Sequence, residues 1–452
     1  MLITHGRLVT MTEPNEVIED GALYIHDGLI ADLGRSQEIL ARHQPDHADG
    51  AGDDVIDAGG KLILPANICA HTHFYGAFAR GMSVPGDPPS TFTEILERLW
   101  WKLDRALDME GIWYSTLVCL IDAIRHGTTT LIDHHASPNA IDGSLDVIAS
   151  AVEQSGLRAA LCYEVSDRNG MEGARAGIRE NIRFALACQE RHSLAVKPAF
   201  GLHALFTISD ETLDRCVADA AAAGIPVHLH VAEDQVDQLK SLANYKLRVV
   251  ERLAVHGGLG GNTLCAHCVH VNENEIAVLA EAGSKVSHQP RSNMNNAVGT
   301  APVKAMLGAG LCVGLGNDGF SNNAFTEMKF ANLLHRHTAH DPQAMEAPTV
   351  LHIAYACNAQ IARLFWSSPC GTLQVGAQAD VILADYRPFT PFTSTNAAWH
   401  IMFGMDGSEV THTLCAGQVV MKNRQILTLD EVEIASRAVE VAERTWERVV
   451  EM

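Results

Sequence analysis

The sequence lacks the features that would tie the chain to a membrane or to export. No apolar run reaches the roughly 20 residues that cross a bilayer, and no basic segment followed by an apolar one opens the chain. Internal repeats and low-complexity segments are also missing. We therefore expect a cytoplasmic protein that makes no contact with a membrane.

Basic residues are scarce beside acidic ones. The 452 residues include 33 Lys and Arg against 54 Asp and Glu, which gives a net charge of −21. A surface of this charge repels phosphates, so nucleic acids and anionic membranes are excluded as partners. Hydrophobic residues make up 47% of the chain, which is enough for a large core.

A disulfide framework is also excluded. The 11 cysteines are an odd number, and many lie inside apolar runs, as Cys69 and Cys162 do. Such cysteines are typical of buried, reduced thiols. Cys265 and Cys268 form a Cys-x-x-Cys pair without a second one, and we interpret it as structural.

Strand-like and helix-like segments alternate through the middle of the chain. The apolar, strand-like runs are Leu62–His73, Thr129–His135, Leu157–Val165, Ala195–Leu205, Ile225–Glu233, Thr263–His270, Lys285–Pro290 and Leu311–Asp318. Eight strands alternating with helices predict an α/β fold with a (β/α)8 TIM barrel, and a doubly wound open sheet is the alternative. Nearly every run ends in a polar residue. Because barrel enzymes build their sites at the C-terminal ends of the strands, this pattern favours the barrel.

Both ends of the chain contain short strands and turns. Asp27-Gly28 and Ala416-Gly417 are interpreted as turns, and the stretch from about Asp430 is typical of a closing helix. We expect the two ends to fold together as one small β-sandwich. The predicted domains are 1–61 for its first part, 62–370 for the barrel, and 371–452 for its second part with the closing helix.

His71 and His73 end the first predicted strand as His-x-His. Residues two apart on a strand share a face, so both imidazoles can reach one metal ion. Taken alone, such a pair is more often structural than metal-binding. Here His230 and Asp318 follow at the ends of later strands. Three histidines and a carboxylate can bind a divalent metal and still leave a position for water.

Three further residues supply what such a metal site needs for hydrolysis. A bound metal lowers the pKa of water towards about 7 and makes hydroxide available at neutral pH. Glu233, three residues after His230, is placed to act as a general acid and base. His267 can contact the hydroxide or a developing oxyanion, and His203 can hydrogen-bond a substrate.

Several motifs resemble a known family. HTH, GLHALFT, HLHVAED, CAHCVH and GLGND occur in the order typical of the amidohydrolase superfamily, in its aminohydrolase and triazine-hydrolase-like branch. More narrowly, LWWKLDRALD, DHHASP and RSNMNN resemble the SsnA-type aminohydrolases. The resemblance spans nearly the whole chain, including the split β domain.

This resemblance implies one divalent metal ion per chain, zinc or iron, and a homo-oligomer, expected to be a dimer. The implied metal ligands are His71, His73, His230 and Asp318. The implied catalytic residues are Glu233 as the proton shuttle, His267 as the group that orients the water, and Asp318, with His203 as the substrate contact.

The chain departs from the family pattern at two places. LPANICAHTH lacks the usual Pro-Gly before the histidine pair, and Asn317 stands where Thr is common. Neither departure falls on an implied ligand. Relatives with two metals need a carboxylated lysine at the end of strand four, whereas Lys197 lies near the start of that strand. We therefore expect a site for one metal ion.

Other polar and aromatic residues are given structural or open roles. His228 is interpreted as an interior residue and Trp100 and Trp101 as core, with a lid contact as the alternative. Packing is expected for the pair His134 and His135, one of which can line the pocket. Arg80, in the loop after the first strand, can meet an anionic substrate or pair with a surface acid, and Asn293, near the pocket mouth, can bind substrate or cap a turn. His335, His337 and His340 are assigned to a helical surface.

Three functions are compatible with these residues. The first is a metal-dependent aminohydrolase that hydrolyses the C–N bond of an aminated heterocycle, such as a purine, pteridine, pyrimidine or triazine, with release of ammonia. The second is a cyclic-amide hydrolase or halide-displacing hydrolase on the same scaffold. The third is a non-catalytic binding barrel, which is disfavoured because no ligand or acid–base position is missing.

Overall fold

The computed structural model describes residues 1–43, 55–84, 86–191 and 193–452, so residues 44–54 of the predicted first domain lie outside the described residues. The strands before the barrel are β1 (Leu2–Val9), β2 (Val17–His26), β3 (Leu29–Arg35), β4 (Val55–Asp57) and β5 (Leu62–Pro65). Those of the barrel are β6 (Asn67–Thr72), β7 (Thr128–His135), β8 (Arg158–Val165), β9 (Val196–Pro198), β10 (Phe200–Ala204), β11 (Val227–Val231), β12 (Thr263–His267), β13 (Lys285–His288) and β14 (Cys312–Leu315). Those after it are β15 (Val381–Ala384), β16 (Val410–Cys415), β17 (Gln418–Lys422) and β18 (Gln425–Ile426).

Helices fill most of the connections. They are α1 (Ser36–Arg42), α2 (Phe92–Ile95), α3 (Trp101–Ala106), α4 (Met109–Arg125), α5 (Ser144–Ser155), α6 (Gly170–Arg191), α7 (Asp210–Ala223), α8 (Gln235–Tyr245), α9 (Val249–Val255), α10 (Glu273–Ala282), α11 (Pro290–Asn295), α12 (Val303–Gly308), α13 (Ala324–Ala339), α14 (Ala347–Leu351), α15 (Asn358–Ala362), α16 (Ala397–Gly404) and α17 (Glu431–Glu451). Short 3-10 turns cover Phe74–Ala79, Asp167–Asn169 and Leu205–Thr207, and π-helical turns cover Leu96–Trp100 and His352–Cys357. Among the described helices, none is both long and apolar enough to cross a membrane.

The central sheet is parallel and runs in the order β6, β7, β8, β10, β11, β12, β13 and β14, with β9 paired to β8. Helices alternate with its strands, as the sequence predicts, and the TIM-barrel fold is confirmed. The predicted run Ala195–Leu205 consists of the two short strands β9 and β10.

Asn358 links the last barrel strand to the first. Its side chain accepts from the backbone N–H of Leu315 at 2.7 Å and donates to the carbonyls of Ile68 at 2.6 Å and Leu315 at 3.0 Å. A Cβ on Gly314 would lie 2.2 Å from the Asn358 oxygen, so a side chain there would displace the link. Asn358 thus replaces strand-to-strand hydrogen bonds between β14 and β6.

The two chain ends build one sheet, which confirms that they fold together. β5 lies between β1, to which it is parallel, and β15, to which it is antiparallel. Both predicted turns have two residues of positive φ, as type I′ hairpins require, at Asp27-Gly28 and at Ala416-Gly417. The domain division at residues 61 and 370 stays a prediction. The single run expected at Leu62–His73 contains β5 of the end sheet and β6 of the barrel.

The C-terminal helix α17 packs along the barrel. Asp430 caps it by accepting from the N–H groups of Val432 and Glu433. Arg125 of α4 forms a bidentate ion pair with Glu431. Its Nε and Nη2 donate to the two carboxylate oxygens at 2.6 and 2.7 Å. The predicted closing helix is therefore present and is anchored at its start.

A buried ion pair joins the barrel to the end sheet. Arg158, at the start of β8, donates to both carboxylate oxygens of Asp380 at 2.7 and 3.0 Å. Their side chains are only 4% and 2% exposed. Asp380 also accepts from the N–H of Ala416, and Trp366 lies against the guanidinium. The pair satisfies charges that would otherwise be buried alone.

Asp380→Ala should destabilise the protein by about 3–5 kcal/mol, because it leaves the Arg158 charge buried without a partner. Urea unfolding followed by circular dichroism measures the loss. The matched control is Glu172→Ala, which breaks an ion pair with Arg179 whose side chains are 58% and 76% exposed. Exposed pairs contribute little, so the control should leave the unfolding midpoint nearly unchanged. Equal midpoints for the two variants would contradict the role given to Asp380.

Candidate active site

His71 and His73 lie at the C-terminal end of β6 and point into the barrel. His71 Nδ1 lies 2.9 Å from His228 Nε2, and His73 Nδ1 donates to the backbone carbonyl of His134 at 2.5 Å. Since a carbonyl only accepts, the hydrogen of neutral His73 is on Nδ1, and Nε2 keeps a free lone pair. His228 is fully buried, as its interpretation as an interior residue predicts.

Asp318 follows β14 and lies beside both histidines. Its Oδ1 is 3.0 Å from the Nε2 atoms of His71 and of His73, and its Oδ2 accepts from the hydroxyl of Ser292 at 2.5 Å. The backbone of Asp318 has φ 56°, in the left-handed region that residues with a side chain rarely adopt. The strain turns this carboxylate inward at the end of the strand.

His230, at the end of β11, completes the cluster. Its Nε2 lies 3.2 Å from Nε2 of His73, and its Nδ1 is buried with no hydrogen-bond partner among the described residues. Two imidazole lone pairs at this distance repel each other unless a proton or a metal ion lies between them. Ligands of a tetrahedral zinc ion, each about 2.0–2.2 Å from the metal, are about 3.3–3.6 Å apart. The four side chains His71, His73, His230 and Asp318 therefore fit a divalent metal.

The pKa values of the cluster agree with this fit. Burial lowers the pKa of His71 to about 3 and that of His230 well below its usual value, so both are neutral. Burial also opposes the charge on His73, but the hydrogen bond and charge of Asp318 outweigh it and raise the pKa of His73 to about 9. Without a metal ion, His73 is therefore protonated on both nitrogens at neutral pH, and metal binding would displace the proton on Nε2.

Glu233 lies just beyond β11, on the cleft side of the cluster. Ala232 before it has φ 46°, which directs the next side chain towards the cleft. One oxygen of Glu233 accepts from the amide of Asn296 at 3.3 Å, and the other lies 3.4 Å from His267 Nε2. Burial, together with the nearby charge of Asp318, raises the pKa of Glu233 well above its usual value. A carboxyl group of this kind accepts protons readily near neutral pH.

His267 ends β12 and has a defined proton position. The Asn293 amide donates to its Nδ1 at 3.1 Å, and burial lowers the pKa of His267 to about 4. The neutral ring therefore carries its hydrogen on Nε2, which is buried, has no hydrogen-bond partner, and lies 3.9 Å from Asp318 Oδ1. His267, His71, His230 and Asp318 each offer an atom within 4.8 Å of the others. Its hydrogen makes Nε2 of His267 a donor towards the cluster rather than a ligand.

Three members of the cluster, His73, His230 and Asp318, line the floor of a cleft. His203, at the end of β10, lies in the wall, and the indole of Trp101 packs edge-on to its ring at 6.0 Å. Trp100 lines the cleft as well, so both tryptophans belong to the wall and not only to the core. Phe92, Leu96 and Phe206 add apolar surface suited to a flat ring.

The structure brings together all the residues that the sequence analysis singled out as ligands, acid–base groups and substrate contact. It adds Ser292 and Asn296, which the analysis did not assign to the site, and it gives Asn293, expected near the pocket mouth, a defined contact. Helix α11 presents Ser292 to Asp318, Asn293 to His267 and, just past its end, Asn296 to Glu233. The sequence signal was the polar motif RSNMNN directly after β13.

The histidines of α13 and the carboxylate Glu164 were also compared with the sequence analysis. His335 was expected on a helical surface, and this is wrong. It is buried, with Nε2 3.2 Å from Nε2 of His288, because its face of α13 packs on the barrel. His337 is exposed as predicted. Glu164, which ends β8, lines the cleft although the sequence analysis gave it no role.

Comparison with known proteins places the chain in a family. The amidohydrolase family model matches residues 62–420. A 5'-deoxyadenosine deaminase from Methanosarcina mazei is 32% identical over 453 residues, covering 99% of each chain. A 5-methylthioadenosine/S-adenosylhomocysteine deaminase from Pelotomaculum thermopropionicum is 32% identical over 444 residues, covering 97% of each.

Solved structures agree in fold. An adenosine deaminase from Xanthomonas campestris with bound zinc superposes with a TM-score of 0.85 at 24% identity and covers 98% of each chain. An atrazine chlorohydrolase from Arthrobacter aurescens complexed with zinc has a TM-score of 0.79 at 21% identity and covers 98% of this chain and 99% of its own.

The predicted metal-dependent aminohydrolase, a hydrolase of C–N bonds in nitrogen heterocycles, is confirmed at that level by the relatives. The clustered ligand groups of this chain support a metal cofactor. On its family match and its full-length relatives, the chain belongs to the amidohydrolase family.

Proposed function

We propose that the protein deaminates an adenosine-type nucleoside, hydrolysing the bond between the purine ring and its amino group with release of ammonia. The observation that carries this proposal is the cluster of His71, His73, His230 and Asp318 beneath an aromatic cleft, with Glu233 and His267 beside it. The two relatives at 32% identity, both named as deaminases of adenosine derivatives, support the substrate class. A halide-displacing hydrolase has weaker support, since the chlorohydrolase shares the fold at only 21% identity.

We assign His71, His73, His230 and Asp318 as the ligands of one metal ion per chain, zinc in preference to iron. When bound, such an ion lowers the pKa of a water towards about 7 and so supplies a nucleophile at neutral pH. The partners of the ligands fix their orientation: His228 holds His71, and the His134 carbonyl holds His73. Partners of this kind support both metal affinity and geometry.

Glu233 is assigned as the proton shuttle. It takes a proton from the attacking water and delivers it to a ring nitrogen while the water oxygen bonds to the ring carbon that bears the amine. The C–N bond then breaks, and a further proton passed through Glu233 lets the amine leave as ammonia. Asn296 holds the carboxyl group in place by donating to one oxygen.

His267 is assigned to the attacking oxygen. Its Nε2–H is directed at the space between Glu233 and Asp318, where it can donate to that oxygen and stabilise its negative charge. His203 in the cleft wall is assigned to substrate contact. We also propose a homodimer located in the cytoplasm.

The first test of this proposal is the reaction itself. The purified, metal-loaded protein should release ammonia from 5'-deoxyadenosine and from 5'-methylthioadenosine, because both carry the same aminated ring. A coupled ammonia assay measures the rate. Release from aminated triazines or guanine alone would contradict the nucleoside assignment and leave the wider aminohydrolase class standing.

The second test addresses the metal ligands. His71→Ala or His230→Ala should lose the bound metal and at least about 10³ in turnover, because either change leaves an incomplete ligand set. Elemental analysis by mass spectrometry measures metal per chain. The control is His337→Ala on the exposed face of α13, which should keep both metal and activity. A full complement of metal in the His71 variant would show that the ligand assignment is wrong.

The third test addresses Glu233. Glu233→Gln keeps the shape of the side chain and removes its basicity, so metal content and fold should persist while turnover falls by roughly 10³ or more. Metal content and ammonia release are measured on one preparation. Near-normal turnover with full metal would overturn the shuttle, whereas loss of the metal would make Glu233 a ligand.

A further inference from the structure

Helix α11 carries side chains that support the site, but it is too short to hold them in place by itself. It has six residues, begins at Pro290, and has no side-chain cap among the described residues. Isolated helices of this length are unstable in water, so contacts with other elements must fix its position. Ser292 on this helix donates to Asp318, and Asn293 donates to His267. Whatever fixes α11 therefore fixes both donors.

Arg291 ties α11 to its surroundings. Its Nε donates to Oε1 of Glu327, on α13, at 2.5 Å. Its Nη1 and Nη2 donate to the hydroxyl and the backbone carbonyl of Ser321 at 2.9 and 2.6 Å. The guanidinium also lies over the ring of Phe320, 5.4 Å from its centre. Among the described residues of α11, only Arg291 has a side chain that hydrogen-bonds to a neighbouring helix or loop outside the site.

The partners of Arg291 belong to the segment that follows Asp318. Ser321 lies in the loop that begins at Asp318, and Glu327 lies in the first turn of the next helix, α13. A planar guanidinium has donors in fixed directions, so it satisfies both partners in one orientation. The side chains of Arg291 and Glu327 are only 11% and 4% exposed, which shields their contact from water. Arg291 thus sets the distance between α11 and the loop that carries Asp318.

We propose that Arg291 is a positioning residue for the metal site and for the histidine that orients the water, acting through α11. It keeps Ser292 against Asp318, and it keeps Asn293 against His267. Arg291 is not among the described residues that line the cleft, so it acts on geometry and not by touching a substrate. Its effect on turnover rests on the proposed function, whereas its effect on metal binding rests only on the ligand assignment.

Replacement of Arg291 should leave the protein folded. Burial raises the pKa of Glu327 to about 7 even beside the guanidinium. In Arg291→Gln the Glu327 carboxyl group therefore takes up a proton at neutral pH, and no bare charge is left buried. Glutamine has two N–H hydrogens to donate, so it cannot make all three hydrogen bonds of Arg291.

The first experiment measures zinc affinity, by competition with a chromophoric chelator, and turnover of 5'-deoxyadenosine. Arg291→Gln should weaken zinc binding about tenfold and lower kcat about 10–100-fold, the range for lost partners of metal ligands, with a smaller change in KM. The matched control, Arg158→Gln, removes another buried guanidinium at the opposite end of the barrel. It should lower the unfolding midpoint but leave zinc affinity and kcat within about twofold, since distant sites act independently. Unaltered zinc affinity and kcat in Arg291→Gln would overturn the proposal.

The second experiment tests whether Arg291 acts through α11. Ser292→Ala alone should weaken zinc binding, and Asn293→Ala alone should lower kcat. Once both donors are absent, adding Arg291→Gln should change zinc affinity and kcat by less than about twofold, because residues that act through one contact are not additive. Full additivity would show that Arg291 acts elsewhere. Zinc affinity unchanged by Ser292→Ala would also overturn the proposal, because Arg291 would then have no donor through which to reach the metal.

Arg291→Lys is measured beside Arg291→Gln and decides the matter if the glutamine variant does not fold. Lysine keeps a charge beside Glu327 but lacks the directed donors that also hold Ser321. It should weaken zinc binding and lower kcat, by less than Arg291→Gln does, and unaltered values would overturn the proposal. If the unaltered enzyme releases ammonia from no nucleoside, the proposed function fails, and the zinc affinities still decide the role of Arg291.

Discussion

Closure of the barrel between its last and first strands is the constraint on which the site depends. His71 and Asp318 are 247 residues apart in sequence and meet only because β14 lies against β6. The carbonyl of His71 accepts from the N–H groups of Asn317 and Asp318, while Asn358 bridges the same two strands deeper in the barrel. A Cβ on Gly316 would lie 2.7 Å from that carbonyl, so a larger residue would force the strands apart. The hydrogen bonds that complete the fold also set the distance between two of the proposed metal ligands.

Buried neighbours decide which nitrogen of each histidine faces the cleft. An imidazole has two distinct nitrogens, and a partner on one defines the chemistry of the other. The carbonyl of His134 accepts from Nδ1 of His73, so Nε2 of neutral His73 carries a lone pair. The Asn293 amide donates to Nδ1 of His267, so Nε2 of His267 carries the hydrogen. Two histidines at strand ends of one barrel thus present opposite groups to the cleft. Residue type alone does not distinguish a ligand from a donor in this family of sites.

The sequence was sufficient to predict the strands of the barrel, the pairing of the two chain ends and the residues at the strand ends, because each leaves a local pattern. An apolar run followed by His or Asp indicates a strand end, and this pattern does not depend on which elements pack against the strand. Contacts between distant elements leave no such pattern. The support that α11 gives to Asp318 and the burial of His335 both depend on how helices pack on the barrel. Left-handed backbone at Ala232 was equally hidden, since alanine rarely adopts it.

The position of β5 between β1 and β15 has a consequence for synthesis of the chain. A ribosome delivers β1 to β5 first, but the strand that covers the open edge of β5 lies more than 300 residues later. Until then that edge offers unpaired N–H and C=O groups and an apolar face, the features by which incomplete sheets associate. The barrel strands emerge before this edge is covered. Completion of the end sheet is therefore a late event of folding, and a nascent chain that stops short of β15 exposes a template for aggregation.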